Sequence, residues 1–250
     1  MTDEILGAEA TVCRCKVQND GGKFTLPAEN MVDDCPMHGA DARARLEADA
    51  DMRGPFKFTF LGERFYPLSP HPDDIKLEDI AHGLALTCRF GGSCKVFYSV
   101  AQHSVHVSEQ MESHYLPHWM PDMVAMSELQ IVQCMHGLMH DASEAYLGDV
   151  IAPIKALPGM ADYRVTEAVV QMCVTSCFGL PDVPSQLLHL VDARMLLTEA
   201  RDLLNGEFPP ANVEPYDFEV SPMGPMVAEA RFLDRFHELE AGLRHVRGLR

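Results

Sequence analysis

The segment from Glu128 to Tyr146 constrains this chain more than any other. At about 100° per residue, Leu129, Val132, Met135, Leu138, Met139, Ala142 and Ala145 fall all round a helix, and a helix apolar on every side belongs in the middle of a domain. The same segment carries His140, Asp141 and Glu144. With His140 at the origin, Asp141 lies about 100° away and Glu144 about 40° away, so three ionisable groups share one wedge. Burying unpaired charge costs several kcal/mol or more. The wedge therefore needs a compensating cation or must face a cleft.

A later segment, Ser185 to Asn205, repeats the anomaly. Leu188, Met195, Leu196 and Leu203 form its apolar stripe, Asp192 lies inside that stripe, and Glu199 sits seven residues on, nearly above it. Asp192 can be served by a buried ion pair with Arg194 or Arg201, or by a metal. His103, on a third segment, can be an ordinary hydrogen-bonded core histidine. Taken with His140, Asp141 and Asp192, it completes a set of two nitrogens and two oxygens. Imidazole plus carboxylate suits Mn, Fe, Co, Ni or Zn better than an all-oxygen Mg cage, with Mg still admissible. His106 and His136 read as supporting or structural residues, and His71 as a loop residue.

The remaining pattern is helical, so the expected fold is all-α. Asp73 and Asp74 can cap a helix from Ile75 to Cys88, broken by Arg89-Phe90-Gly91-Gly92. Ser99 with Gln102 fits a capping box opening a helix to about Met111. Ser127 can cap the helix running to Tyr146 and Gly148. Segments at about 161–178 and 185–205 follow. Pro225 can start a last helix from Met226 to His245, with Ala230, Leu233, Phe236, Leu239 and Leu243 as its apolar side. KFTFLGERFYPL alternates and turns at Gly62, which predicts a short β-hairpin between Phe56 and Tyr66. Residues 1–50 read as an irregular extension and 51–250 as the domain.

With 250 residues the chain can bury a full-sized core. Its net charge of −17 and lack of a Lys/Arg cluster argue against a nucleic-acid polymer as partner. No apolar run approaches a membrane span, and the N-terminus lacks the marks of a secretion signal, so the expected location is cytoplasmic. Of the eight cysteines, Cys88, Cys94, Cys134, Cys173 and Cys177 read as small buried hydrophobes kept reduced. Cys13-x-Cys15 and Cys35-x-x-His38 bracket a loop with almost no core-forming side chains. These four could clip it with a structural zinc, the alternative being a disordered tail.

The order His103, His140-Asp141, Asp192 resembles the HD-domain phosphohydrolases. The resemblance is carried by RFGGSCKVFYSVAQHS (89–104), HDASEAYLGDVIAPIK (140–155) and VDARMLLTEARDLL (191–204), and covers roughly residues 55–205. It is similar to the branch acting on deoxynucleotides, including bacterial deoxynucleoside 5′-monophosphatases and phage deoxyadenosine triphosphate hydrolases. The resemblance implies an HD-type helical bundle in which His103, His140, Asp141 and Asp192 hold one divalent metal. It implies that Glu144 activates water or assists proton transfer, and that Asp149 orients water or substrate. Arg89 and Lys155 would contact phosphate. Phe90 stands where the branch commonly has Trp or another aromatic near the sugar or base. The implied reaction is release of phosphate from deoxynucleoside 5′-monophosphates by a metal-activated water. The alternatives are triphosphate hydrolysis, a non-catalytic nucleotide-binding module, a structural helical protein and an HD-type phosphodiesterase. Members of this family are often homo-oligomers, which the resemblance extends to this chain.

Overall fold

The computed structural model describes residues 53–115, 126–181, 183–206 and 212–248, together with the backbone of 18–20 and 23–25. The chain divides into two compact units, residues 1–54 with 249–250 and residues 55–248. In the first unit, β1 (Gln18–Asp20) and β2 (Lys23–Thr25) pair antiparallel with Asp20 opposite Lys23. This hairpin was not expected from the sequence, although Gly21-Gly22 between the strands is the residue type a two-residue loop favours. Cys13, Cys15, Cys35 and His38 lie outside the described residues.

Among its described residues, the second unit is all-α apart from one small hairpin and a single bridge between Cys88 and Ser99. In that hairpin β3 (Lys57–Phe58) and β4 (Arg64–Phe65) pair antiparallel, and Gly62 takes a positive φ in the connection, as the alternating pattern predicts. The helices are α1 (Leu77–Leu86), α2 (Val100–Tyr115), α3 (Glu128–Met139), α4 (Glu144–Leu147), α5 (Ala152–Lys155), α6 (Ala161–Cys177), α7 (Gln186–Leu203) and α8 (Pro225–Val246). Among the described residues, no helix is long and apolar enough to cross a membrane.

Helix α2 is the hub. It packs on α1, α3, α7 and α8, while α8 also covers α1 and α3. Ile80, Leu84, Val105, Met111, Leu138, Met139, Met195, Phe232 and Leu239 form one continuous core. Gly137 lets α2 and α3 approach closely, since a Cβ there would press on Met111 Cγ at 3.2 Å. Ser108 Oγ donates to Cys134 O across the same contact at 2.9 Å.

Several boundaries differ from expectation for local reasons. His71 and Asp74 cap a separate 3-10 turn, Pro72–Asp74, and Ile75 is extended, so α1 starts only at Leu77. Ser99 Oγ does accept from Gln102 N at 3.1 Å, but the Gln102 amide turns away to Ser221 O and Met223 N, both at 2.8 Å. That glutamine staples the segment before α8 to α2 instead of closing a capping box. On α8 the buried side is Ala228, Phe232, Arg235, Phe236 and Leu239; Ala230 is exposed, and Leu233 and Leu243 are only partly covered. Arg235 is tolerated there because it meets Ser108, Glu112 and Glu238. Ser127 caps α3 as the sequence predicts, and Ser185 does the same for α7, its side chain accepting from Leu188 N.

The main difference concerns the 128–146 segment, which is not one helix. Regular α3 ends at Met139. The chain then tightens into i→i+3 turns, Met139 O accepting from Ala142 N at 3.1 Å and Asp141 O from Glu144 N at 3.0 Å, before the single turn α4. Aspartate and serine are weak helix formers, and in 3-10 geometry residues three apart eclipse. Through this tightened turn Asp141 remains near enough to Glu144 for its charge to act on it.

Candidate metal centre

Four elements deliver the centre: α2 brings His103, the end of α3 His140, the tightened turn Asp141, and α7 Asp192. Both imidazoles are oriented through Nδ1. His140 Nδ1 lies 2.8 Å from Gly137 O, and His103 Nδ1 lies 2.7 Å from Glu199 Oε1. A carbonyl and a carboxylate oxygen only accept, so each Nδ1 carries the proton and each Nε2 points inward. Those two Nε2 atoms are 3.3 Å apart.

The carboxylates close round them. Asp141 Oδ2 lies 3.3 Å from His140 Nε2 and 3.7 Å from His103 Nε2. Asp192 Oδ1 lies 3.2 Å from His103 Nε2 and 3.7 Å from His140 Nε2. Ligands about 2.1 Å from one ion and set at neighbouring angles are about 3.0–3.4 Å apart. His103, His140 and Asp141 thus form a group that can hold a metal ion, their ligand atoms all within 4.8 Å of one another. Asp192 is the more exposed member, with 41% of its side chain accessible. Arg194 and Arg201 bond elsewhere, to Glu214 O and to Asp202, Tyr216 O and Phe218 O. Asp192 therefore faces the histidines and not an arginine on its own helix.

The electrostatics demand positive charge at this point. Burial raises the proton affinity of Asp141, but the charge and hydrogen bond of His140, with His103 and Arg89, more than reverse it and hold Asp141 below the ordinary range. Asp192 is likewise depressed, burial being outweighed by its bonds to His103 and His140. For His140, burial favours the neutral ring, yet Asp141 and Asp192 push its pKa well up. The site binds protons for the reason that it would bind a cation.

Glu144 behaves in the opposite way. It is 6% exposed, and its Oε2 is buried without a hydrogen-bond partner among the described residues. Burial first, then the charges of Asp141 and Asp149, push its pKa up to about 8, with Lys155 and Arg89 offsetting part of the effect. Asp149 is thus near enough to act on Glu144. Lys155 Nζ sits between two acids, 2.6 Å from Glu167 Oε1 and 3.4 Å from Glu144 Oε1.

Arg89 opens a tight turn, Arg89–Gly92, pinned by Arg89 N to Tyr98 O at 2.9 Å and by the Cys88–Ser99 bridge. Its Nε donates to Glu199 Oε2 at 3.1 Å and its Nη1 to Asp141 Oδ2 at 3.3 Å. Phe90 takes φ 56°, a left-handed conformation that costs a non-glycine residue about 1–2 kcal/mol. Its ring lies 5.6 Å from the Arg89 guanidinium carbon. Strain of this kind survives where surrounding contacts over-determine it, commonly at ligand sites.

Over 186 residues the chain is 36% identical to YfdR of Escherichia coli (strain K12), a match covering 72% of this chain and 93% of YfdR. The chain belongs to the YfdR family. A protein of Rhodobacter capsulatus is 38% identical over 141 residues, 53% of this chain and 63% of its own length. No family model matches the chain. Both relatives are designated uncharacterized.

Glu199 is the site residue that sequence reasoning left without a role. Its signal was there: two helical turns after Asp192, in an otherwise apolar stripe, an acid needs partners. Those partners, Arg89, Tyr98 and His103, come from other segments. Of the other histidines, His106 meets Gln102 and Glu109, and His136 is buried on α3 one turn before His140.

Proposed function

We propose that this protein is a metal-dependent phosphohydrolase of the HD type, releasing phosphate from small deoxynucleotides, with deoxynucleoside 5′-monophosphates as substrates. The observation that carries the reading is the convergence of His103 Nε2, His140 Nε2, Asp141 Oδ2 and Asp192 Oδ1 beside an arginine and a buried, proton-holding glutamate. The resemblance of residues 89–104, 140–155 and 191–204 to HD-domain enzymes supports it.

His103, His140, Asp141 and Asp192 would hold a divalent transition metal, which when bound would supply Lewis-acid polarisation and lower the pKa of water. The protein's own residues do the rest. Arg89, already aimed at the centre, neutralises a phosphoryl oxygen. Glu144 holds or takes a proton on the same side as Asp141, with a proton affinity suited to exchange near neutral pH. Lys155 restrains Glu144 and Glu167 together. Phe90 lies beside Arg89, where a sugar or base would follow the phosphate. Among the described residues, Arg89 and Lys155 are the cations beside the centre and Glu144, and both are already paired with acids. That favours one phosphate over three.

The test is product analysis on deoxy- and ribonucleoside mono- and triphosphates with Mn, Co, Mg and Zn, beside Asp141→Ala. Orthophosphate from monophosphates, lost in the variant, supports the reading. Tripolyphosphate from triphosphates moves the substrate to the triphosphate class. Inertness of the metal-loaded protein across the panel refutes hydrolysis of nucleotides.

A further inference from the structure

We infer that Glu199 is a positioning residue that governs two functions of the site together, orienting the metal-facing nitrogen of His103 through Oε1 and the guanidinium of Arg89 through Oε2. The inference rests on the metal-site reading above and assigns a role to a residue outside the ligand set.

Glu199 is fully buried, and each of its oxygens is engaged. Oε1 accepts from Tyr98 Oη at 2.8 Å and lies 2.7 Å from His103 Nδ1, while Oε2 accepts from Arg89 Nε at 3.1 Å. Net stability does not account for such an arrangement, because buried ion pairs commonly gain little over apolar side chains of the same volume. Orientation does account for it. The carboxylate has no proton to give, so His103 must donate through Nδ1 and present Nε2 to the centre. An acid behind a ligating imidazole fixes its tautomer and ring angle and increases its basicity. The two imidazoles differ here: His140 is held by the backbone oxygen of Gly137, which no substitution removes, and His103 by a side chain.

The second oxygen does comparable work on Arg89. Holding Nε fixes the plane of the guanidinium, and Nη1 then falls 3.3 Å from Asp141 Oδ2, at the edge of the centre. Arg89 is itself only 12% exposed, and without Glu199 its stem would keep its place while its head lost its aim. Since Glu199 and Asp192 are seven residues apart on α7, one rigid helix sets a carboxylate of the centre and the residue that orients its partners.

The experiment uses the full chain with Mn(II) and inorganic phosphate as probes, without substrate. Glu199→Gln is expected to weaken Mn(II) binding by about 10- to 100-fold. It is also expected to weaken phosphate binding at saturating Mn(II). In an Arg89→Ala background the phosphate effect of Glu199→Gln should vanish while its Mn(II) effect persists, since the two oxygens act through different residues. Equal Mn(II) affinity in wild type and Glu199→Gln overturns the inference and leaves the metal site standing. No Mn(II) binding by wild type overturns both. If Glu199→Gln does not fold, ¹⁵N-histidine-labelled wild type decides: a protected His103 Nδ1–H resonance is expected, and an Nε2–H tautomer refutes the assignment.

Discussion

Replacing Glu144 by glutamine should make the metal-free protein more stable at high pH and nearly inactive when metal is restored. The folded protein holds the Glu144 proton up to a pH of about 8, against an ordinary value of 4.5 in the unfolded chain. Between those limits the folded state binds more protons than the unfolded one, so stability is greatest below the unfolded value and falls as pH rises toward the folded one. At about 1.4 kcal/mol per pH unit, and allowing for curvature near each end, the loss between pH 5 and pH 8 is about 3 kcal/mol. Glutamine keeps the shape and removes the proton. The difference in unfolding free energy between Glu144→Gln and wild type should therefore grow by about 3 kcal/mol in the variant's favour over that range. His103 and His140 are common to both proteins, so their own contributions largely cancel in the difference. Urea denaturation with a chelator at pH 5, 6, 7 and 8 measures it. Parallel stability curves would refute the argument that Glu144 is held protonated by burial and by Asp141 and Asp149. Turnover is expected to drop by about 10²- to 10⁴-fold in the variant, as for loss of a general acid or base. A variant that gains stability and keeps full turnover would leave Glu144 a buried acid without a catalytic part.

The remaining expectations concern the centre and its supports. Mn(II) at a hundred times its Kd should stabilise wild type by about 2.7 kcal/mol, and Asp141→Ala and His140→Ala should abolish that gain in thermal or urea unfolding. Gly83→Ala places a Cβ 2.9 Å from both Cβ and O of Ala145, next to Glu144. Overpacking there should cost about 1–3 kcal/mol, with a fall in turnover as α4 shifts. Arg235→Ala strips the partner from Ser108 and Glu112 inside the α2–α8 contact, and a loss of about 3 kcal/mol in urea unfolding is expected. Ser127→Ala removes the cap that accepts from Gln130 N, for about 1 kcal/mol and no change in metal content by elemental analysis.

How much of this was legible beforehand follows from the range of the forces involved. Helical periodicity, the cap at Ser127 and the hairpin turn at Gly62 are local, and the chain states them outright. The same holds for the warning that His140, Asp141 and Asp192 sit where apolar residues belong, since desolvation makes a buried charge conspicuous in any sequence. Cysteine burial was readable only in part: Cys134 is buried as expected, but Cys177 is exposed, because which side of α6 faces the core depends on its neighbours. The tightening of the chain after Met139 was not legible, since a helical wheel assumes the very regularity that the His140–Ser143 turns give up. Nor was the partner of Glu199. Sequence marked it as an acid in need of donors, but Arg89, Tyr98 and His103 reach it only because α2 and α7 pack together. Composition and spacing thus decided that this chain would be helical and would bury a charged cluster. Packing alone decided which nitrogen of His103 faces inward and which carboxylate holds the arginine, because those depend on distances of a few ångströms between segments about a hundred residues apart.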